Sequence, residues 1–262
     1  MCRHIGYIGN KEFIDKIILE KKHSLIDMAF QPKEMKNAKL NADGFGIGWN
    51  SIENEKKFFL YKNYMPIWND PNLNSFAKNI KTNLLIGNVR SATLLTNIGY
   101  QNTHPFIFEN LLFSHNGFIE NFEPVVKGKL LGLLDNNLLS AIKGNTDSEL
   151  IFFIIINIYK KEKNLLKAIR KTLKILSELC KAAMLNFIIA EFKDTKYKLY
   201  ATKTAIKLSP PSLYYQVNKN KSIFISSEKL DKKKWLSVKN NSLIECSKNK
   251  FKIMDISNIE IN

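Results

Sequence analysis

Residues 1–9 read MCRHIGYIG, a run with strand character that places a thiol at the very start of the strand. Cys2 follows the initiator methionine, which is usually removed when the second residue is small. The processed residue would carry both a nucleophilic sulfur and a free α-amine. A terminal α-amine has a pKa of about 8, so at neutral pH a useful fraction can accept the thiol proton. Cys2 is therefore predicted to be a nucleophile that supplies its own base.

The composition is that of an ordinary globular protein, with 45% hydrophobic residues in 262. The longest apolar stretch, LIFFIII at residues 150–156, is far shorter than the roughly 20 residues of a membrane-spanning helix. The N-terminus also lacks a charged segment followed by an apolar signal core. These features predict a cytoplasmic protein that does not enter the membrane.

The cysteine pattern argues against both a disulfide framework and a zinc cluster. Cys2, Cys180 and Cys246 are odd in number, widely separated and without CxxC spacing. We therefore expect no metal and no cofactor.

The formal charge of +16 raises the question of nucleic-acid binding. However, only three of the 40 basic residues are arginine, the residue preferred for phosphates and base edges. The lysines are scattered, and no RNP, zinc-finger or helix-turn-helix signature occurs. The sequence thus favours a lysine-rich solvated surface and no nucleic-acid partner.

No linker or internal repeat divides the chain, which predicts a single domain over residues 1–262. Strands are predicted at residues 2–9, 41–50, 58–62 and 84–93, with a hairpin at 105–117. A helix is predicted over 10–22, another begins at a capping box of Thr146 and Glu149, and a third covers 164–183. Strands return at 184–192, 197–202, 222–227 and 251–256. This order favours an α+β layered sandwich.

Four stretches carry the chemistry: NADGFGIGW (41–49), GNVRSAT (87–93), NTHPF with FSHNGFIENF (102–106 and 113–122), and GNTDSE (144–149). The glycines of the first do not lead from a strand directly into a helix, so a dinucleotide site is rejected. In this order behind an early cysteine, the stretches resemble the class II glutamine amidotransferases, of the N-terminal nucleophile hydrolase superfamily. The resemblance implies a four-layer αββα sandwich of two mainly antiparallel sheets between helical layers, and an amidohydrolase.

The same resemblance assigns roles to individual residues. Arg90 would grip the α-carboxylate of the substrate through a two-pronged contact, and Asp147 would hold its α-ammonium group. Asn116 and Gly117 would form the oxyanion hole, with the Asn-Gly pair also expected to be a tight turn. The alternatives are a surface arginine, a helix-start carboxylate and a plain hairpin turn.

Thr93 and Thr103 are predicted to make supporting substrate contacts. His104, placed with the substrate-binding residues, is expected to brace the loop before Pro105 rather than to transfer protons. Arg3 is expected to position the N-terminal segment.

Finer resemblance points to one branch of the family. HSLIDMAFQP (23–32), PIWNDPNL (66–73) and ISSEKLDKKKWLSV (225–238) look like the ergothioneine-pathway amidohydrolases, which remove glutamate from γ-glutamyl-hercynylcysteine S-oxide. Four aromatic residues are candidates to contact its trimethylammonium group, or else are packing residues: Trp49, Tyr64, Trp68 and Phe106.

Two alternatives remain open. One is a stand-alone hydrolase of glutamine or another γ-glutamyl peptide, as a homo-oligomer or with a partner enzyme. The other is a noncatalytic basic binding module on the same fold.

Overall fold

The computed structural model describes residues 2–35, 39–51, 58–92 and 98–258. Its helices are α1 (Ile14–Ile18), α2 (Leu25–Phe30), α3 (Leu73–Asn79), α4 (Lys127–Leu131), α5 (Asn136–Leu139), α6 (Asp147–Glu162) and α7 (Leu165–Leu179). Its strands are β1 (Arg3–Phe13), β2 (Phe45–Asn50), β3 (Phe58–Asn63), β4 (Lys81–Val89), β5 (Phe106–Phe108), β6 (Leu111–Ile119), β7 (Ala183–Lys193), β8 (Lys196–Lys203), β9 (Ala205–Ile206), β10 (Tyr214–Val217), β11 (Ile223–Ser226), β12 (Leu236–Ser237), β13 (Ser242–Ser247) and β14 (Lys250–Asp255).

The strands form two antiparallel sheets. The first has the order β12-β10-β11-β1-β4-β2-β3, which places β1 in its centre. The second has the order β14-β13-β8-β7-β6-β5, with β9 beside β7. The sheets face each other through an apolar layer that includes Ile86, Leu112 and Ile188.

Helices cover the two outer faces. Helices α1 to α3 pack on the first sheet around Ile17, Leu25 and Leu73, and helices α4 to α7 pack on the second around Leu130 and Phe152. The result is a four-layer αββα sandwich, so the predicted fold class is confirmed. None of the helices in the described residues is long and apolar enough to cross a membrane.

Helix α6 contains the apolar run at residues 150–156. Residues 148–157 are all buried, as expected for a helix that is apolar on most sides. Its predicted cap is confirmed, because Thr146 Oγ1 accepts a hydrogen bond from Glu149 N at 3.1 Å. The second half of the capping box is wrong. The Glu149 carboxylate instead accepts from the backbone N–H groups of Lys143 (3.0 Å) and Gly144 (2.6 Å), which fixes the loop before the helix.

Two predicted helices and one predicted turn differ from the structure. The helix predicted over 10–22 is shortened to α1, because β1 continues through a bulge and pairs Glu12 and Phe13 with β4. The helix predicted over 164–183 ends at Leu179, where the chain enters β7. Backbone pairing with a distant strand overrides the helical pattern in the first case.

The third difference concerns the Asn-Gly pair. Asn116 and Gly117 lie inside β6, opposite Asn186 and Leu185 of β7, so the predicted tight turn at this pair is wrong. The turn of the hairpin is at Glu109 and Asn110, between β5 and β6, and Glu109 has a φ of 48°. An Asn-Gly pair is a signal for a turn only where the flanking strands pair with each other.

Candidate active site

Cys2 lies immediately before the central strand of the first sheet. Strand β1 is flanked by β4, where Arg3 pairs with Val89, and by β11, where Ile5 pairs with Ser226. Cys2 is 8% exposed, and its Sγ lies 3.9 Å from Ser91 O. The thiol is therefore held at the end of a strand that has hydrogen-bonded neighbours on both sides.

A buried charge cluster anchors the start of β1. Arg3 is fully buried; its Nη1 donates to the Cys2 carbonyl (3.0 Å) and its Nε donates to Glu228 (2.8 Å). The same carboxylate lies 2.6 Å from His23 Nε2 and accepts from the backbone N–H groups of Lys33 (2.8 Å) and Glu34 (3.1 Å). The sequence expectation that Arg3 positions the N-terminal segment fits these contacts.

The Glu228 carboxyl is ionised at any pH at which the protein would work. Burial by itself would raise its pKa, but the hydrogen bonds from His23 and from the two backbone N–H groups, with the Arg3 charge, lower the pKa to about 2. The anchor is thus a charged pair, and the Arg3 side chain also donates a hydrogen bond to the Cys2 carbonyl.

Arg90 follows the last residue of β4 and lies beside Cys2, because Arg3 pairs with Val89. It is 3% exposed, so the alternative of a surface arginine is wrong. Its backbone N–H donates to Gly44 O at 2.8 Å and its carbonyl accepts from Asp43 N at 3.0 Å. The Asp43 carboxylate in turn accepts from Ala92 N at 2.7 Å, which fixes the chain on the far side of Arg90.

Asn116 points into the space between the sheets. Its Nδ2 donates over a long 3.5 Å contact to Ser227 Oγ, which also accepts from His4 N at 3.0 Å. On the neighbouring part of this face, Ser114 Oγ accepts from Asn88 Nδ2 (3.0 Å) and lies 3.3 Å from His4 Nδ1. The Ser227 hydroxyl therefore links the Asn116 amide to the backbone of His4 in β1.

Gly117 must be a glycine. A Cβ at this position would overlap Met184 O and His115 Nε2, which are 2.8 Å apart across it. Leu185, the partner of Gly117, gives its own N–H to Thr204 O, away from β6. Gly117 and Leu185 therefore form a non-hydrogen-bonded antiparallel pair. In such a pair the N–H group of each residue points away from the partner strand. The Gly117 N–H therefore points away from β7, to an edge where β5 pairs only with residues 111–113.

Asp147 reaches this same edge from the first residue of α6. Its Oδ2 accepts from the Ile119 backbone N–H at 2.8 Å, two residues after Gly117. Its Oδ1 accepts from Ser148 N at 2.6 Å. The helix start and the open edge of β6 thus place a half-buried carboxylate next to the strand that holds Asn116 and Gly117.

Three buried histidines are kept neutral. Burial, with the charges of His115 and Arg3, lowers the pKa of His4 to about 3. Burial also lowers the pKa of His104 well below its usual value. Burial lowers the pKa of His115, an effect partly offset by Asp147. Because His115 Nε2 can only donate to Met184 O, its Nδ1 accepts from Ser148 Oγ at 2.9 Å.

The NTHPF loop packs directly on β2. A Cβ at Gly46 would overlap the His104 carbonyl, and Gly44, at a φ of 113°, lies against Thr103. Because Gly44 and Gly46 have no side chains, the loop that contains Thr103 and His104 can pack closely on the first sheet. The Thr103 hydroxyl donates to Gly99 O at 2.9 Å, within its own loop. The predicted contact residue Thr93 lies outside the described residues.

His104 braces this loop without an imidazole hydrogen bond. Both its ring nitrogens are buried and lack a partner within the described residues, and its ring packs on Phe106 at 4.7 Å. Bracing therefore comes from ring packing and the backbone. Of the aromatic candidates, Phe106 and Trp49 lie in the cores, Trp68 packs on Phe30, and Tyr64 is exposed.

The other two cysteines, Cys180 and Cys246, have thiols with raised pKa values. Burial raises the pKa of the Cys180 thiol to about 11, and burial also raises the pKa of Cys246. Both are therefore protonated at neutral pH and serve as small apolar residues. Among the described residues, no group of three or more His, Cys, Asp or Glu side chains is placed to hold a metal ion.

Sequence reasoning missed four residues of this site: Asp43, Asn88, Ser227 and Glu228. Asp43 and Asn88 lie inside motifs that were singled out, directly before Gly44 and directly before Val89. Ser227 and Glu228 belong to the late ISSEK segment, whose resemblance to relatives was the only signal. Their partners, His4 and Arg3, are more than 200 residues away, so spacing could not reveal the contacts.

Comparison with known proteins identifies a family, similar curated relatives and solved structures of the same fold. The family model described as class-II glutamine amidotransferases matches residues 21–206, more than two thirds of the chain. A probable glutamine amidotransferase, DUG3, of Saccharomyces cerevisiae is 31% identical over 167 residues, which are 62% of this chain and 46% of that protein. A gamma-glutamyl-hercynylcysteine sulfoxide hydrolase of Mycolicibacterium smegmatis is 26% identical over 142 residues, 54% of this chain and 62% of that protein.

The chain therefore spans about half to three fifths of these curated relatives. Among solved structures, a glutamine aminotransferase class-II domain protein from Silicibacter pomeroyi matches with a TM-score of 0.71 at 20% identity, over 97% of this chain and 99% of that one. The glutamine PRPP amidotransferase of Bacillus subtilis matches with a TM-score of 0.67 at 18% identity, over 97% of this chain and 49% of that one. At this identity the structural matches establish the fold.

Proposed function

The chain belongs to the class II glutamine amidotransferases, and we propose that it hydrolyses a γ-glutamyl amide with Cys2 as the nucleophile and releases glutamate. The observation that carries this proposal is the placement of Cys2 directly before β1 and beside the buried Arg90, on the strand where the His4 backbone N–H shares the Ser227 hydroxyl with Asn116. The proposal requires removal of Met1, since only then is the α-amine of Cys2 available as the base.

In the first step, Cys2 Sγ attacks the γ-carbonyl carbon while the thiol proton passes to the α-amine. The carbonyl oxygen becomes an oxyanion, to which the Asn116 amide and the Gly117 N–H would donate. The outward direction of the Gly117 N–H supports this role. The 3.5 Å contact of Asn116 with Ser227 is near the limit of a hydrogen bond. Breaking this contact so that the amide can donate to the oxyanion would therefore cost little free energy.

In the second half of the first step, the α-amine passes its proton to the leaving nitrogen and the carbon–nitrogen bond breaks. A glutamyl thioester on Cys2 and a free amine result. Water then attacks the thioester carbonyl, the carbon–sulfur bond breaks, and glutamate and the thiol are released. The same two oxyanion donors would stabilise both tetrahedral intermediates.

The glutamate end of the substrate would lie between Arg90 and Asp147. Arg90 offers a planar pair of donors for the α-carboxylate, and Asp147 offers a half-buried carboxylate for the α-ammonium group. Thr103 and His104 would shape this end of the pocket through the loop that they hold over β2, and Thr93 is proposed as a further contact. The match of the Silicibacter pomeroyi structure over 97% of this chain supports one domain over residues 1–262.

The leaving amine is the finer part of the proposal. The mycobacterial relative supports γ-glutamyl-hercynylcysteine S-oxide, as in ergothioneine biosynthesis, and the yeast relative supports a glutamine amidotransferase acting alone or with a partner subunit. Two of the four aromatic candidates for a trimethylammonium contact lie in the hydrophobic cores. This placement favours testing a wider set of γ-glutamyl amides.

The test is a parallel assay of glutamate release from glutamine, a γ-glutamyl dipeptide and the γ-glutamyl sulfoxide, with protein of verified N-terminus. We expect release from at least one of them, and mass spectrometry of the trapped protein should give a glutamyl adduct on Cys2. An adduct on Cys180 or Cys246, or turnover by protein that retains Met1, would contradict the proposed mechanism. No release from any γ-glutamyl amide would favour the noncatalytic module instead.

A further inference from the structure

A cleft lies at the end of the sandwich opposite Cys2. It has a volume of about 720 Å³ and opens between Ile8 and Asn83 of the first sheet and Tyr197 and Cys246 of the second. Ile8 lies six positions after Cys2 along extended strand, which corresponds to about 20 Å. The cleft is thus remote from the proposed active site.

Two hairpin tips form the rim on the side of the second sheet. The β7–β8 tip supplies Lys196 and Lys198, and the β13–β14 tip supplies Lys248, Lys250 and Lys252. Strands β8 and β13 are hydrogen-bonded neighbours, so the two tips lie side by side. We call this set of five lysines with the intervening space the lysine cleft.

The charge of the lysine cleft is not balanced. Glu245 is the only acidic residue among those that line it, and its carboxylate is already 2.9 Å from Lys198 Nζ. Within the described part of the chain, the other four lysines form no ion pair. Four ammonium groups around one concave space repel each other, and this repulsion is relieved when an anion enters.

The imbalance is not explained by the lysine-rich composition alone. Another cleft on the first sheet is lined by Lys16 and Lys21 with Glu12 and Glu20, two charges of each sign. The groove between α6 and α7 is lined by three lysines and two glutamates. The same composition therefore gives balanced clefts elsewhere on this surface.

We propose that the lysine cleft binds a small anion that carries two or more phosphate groups. Lysine recognises phosphate as a compact point charge, and several phosphates are needed to engage lysines on both hairpin tips. A volume of 720 Å³ is in the range of sites that hold molecules of nucleotide size.

The experiment is isothermal titration of the full chain with inorganic tripolyphosphate and, separately, with ATP, at low and at physiological ionic strength. The test variant is Lys250→Gln/Lys252→Gln. The matched control is Lys171→Gln/Lys174→Gln in the groove of α7, which removes the same number of charges. All four side chains are on the surface, and melting curves verify that both variants fold.

We expect saturable binding of tripolyphosphate that weakens about tenfold or more in the cleft variant and less than about twofold in the control. Equal affinity for ATP would mean that the phosphate chain alone is recognised, and tighter ATP binding would mean that a nucleoside is also read. Absence of binding, or equal weakening in both variants, would overturn the proposal. So would tighter binding of a DNA duplex that tripolyphosphate fails to displace. Because binding is measured without turnover, the result is independent of the proposed hydrolase activity.

Discussion

The space between the two sheets is polar at the Cys2 end and apolar further along the same strands. On the inner face of β6, Leu112 is followed by Ser114 and Asn116, and β4 passes from Ile86 to Asn88. Both regions are fully buried and share one backbone framework. The difference shows that one sandwich contains two regions that are stabilised in different ways. Apolar packing stabilises one region, and hydrogen bonds and charges stabilise the polar one.

The polar end contains buried polar atoms that destabilise the folded state. Several buried polar atoms there lack a protein partner within the described residues, including His4 Nε2, Asn88 Oδ1 and Asn116 Oδ1. A buried polar group without a partner destabilises the folded state by about 1–3 kcal/mol. A protein retains such groups where they are needed for binding or catalysis. Substitutions at each end therefore test whether the polar and apolar regions have separate roles.

The largest effect is expected from Cys2→Ala. Turnover should fall by more than about 10³-fold because the nucleophile is lost. The melting temperature should change little, since only one sulfur is removed at a strand end. The control is Cys180→Ala, which removes an equally buried thiol at the end of α7 and should retain turnover. Comparable activity in the two variants would contradict the proposed role of Cys2.

Glu228→Gln should destabilise the polar end strongly. The change leaves the buried Arg3 guanidinium without its charged partner, and breaking a buried pair in this way costs about 3–5 kcal/mol. The matched control is Glu245→Gln, which breaks a partly exposed pair with Lys198 and should cost less than about 1 kcal/mol. Urea unfolding measures both, and similar costs would show that the Arg3 anchor is not essential to stability.

Leu112→Ala tests the apolar end on the strand that also holds Asn116. We expect a loss of about 2–5 kcal/mol in the free energy of unfolding, because a fully buried side chain leaves a cavity. Turnover per folded molecule should be nearly unchanged at a temperature where the variant remains folded. A selective loss of turnover in a stable Leu112→Ala protein would mean that the two regions are not separate.

Arg90→Lys should act on binding. A point charge replaces a planar two-pronged donor, so KM should rise by about 10- to 100-fold with a smaller change in kcat. Arg170→Lys in α7 is the control and should leave both constants unchanged. An unchanged KM in Arg90→Lys would refute the carboxylate-binding role.

The smallest effect is a pH dependence that arises at the polar end. Burial lowers the pKa of His4 from 6.5 to about 3, so between these values the unfolded chain binds a proton that the folded protein does not. Stability should therefore fall as the pH decreases below about 6.5, by about 1.4 kcal/mol per pH unit for each such histidine. His104 and His115 add slopes of the same sign.

Urea unfolding between about pH 6.5 and 5 measures this slope above the range in which most carboxylates titrate. His4→Gln should reduce it by the contribution of one proton. A flat profile in the unsubstituted protein would contradict the burial of neutral histidines at this end.

Particular residues show where sequence reasoning succeeded and where it failed. The motif order identified the family and the fold, because several short stretches occur together in one order. The roles that it assigns to Cys2, Arg90 and Asp147 stay predictions. It wrongly placed Asn116 and Gly117 in a turn, since a two-residue signal cannot reveal that the partner strand is β7 rather than the preceding strand. Their predicted chemical roles do not depend on that turn.

The sequence by itself determined the family and the layered sandwich and predicted a cysteine nucleophile, because the motifs that carry the family resemblance are runs of neighbouring residues. Only the tertiary structure decided what surrounds them: Glu228 on Arg3, Ser227 between His4 and Asn116, and five lysines on two adjacent hairpin tips. The physical reason is that burial, charge pairing and strand register arise from contacts between segments up to 225 residues apart. The energies of these contacts depend on that proximity, and the contacts produce no periodic pattern in the sequence.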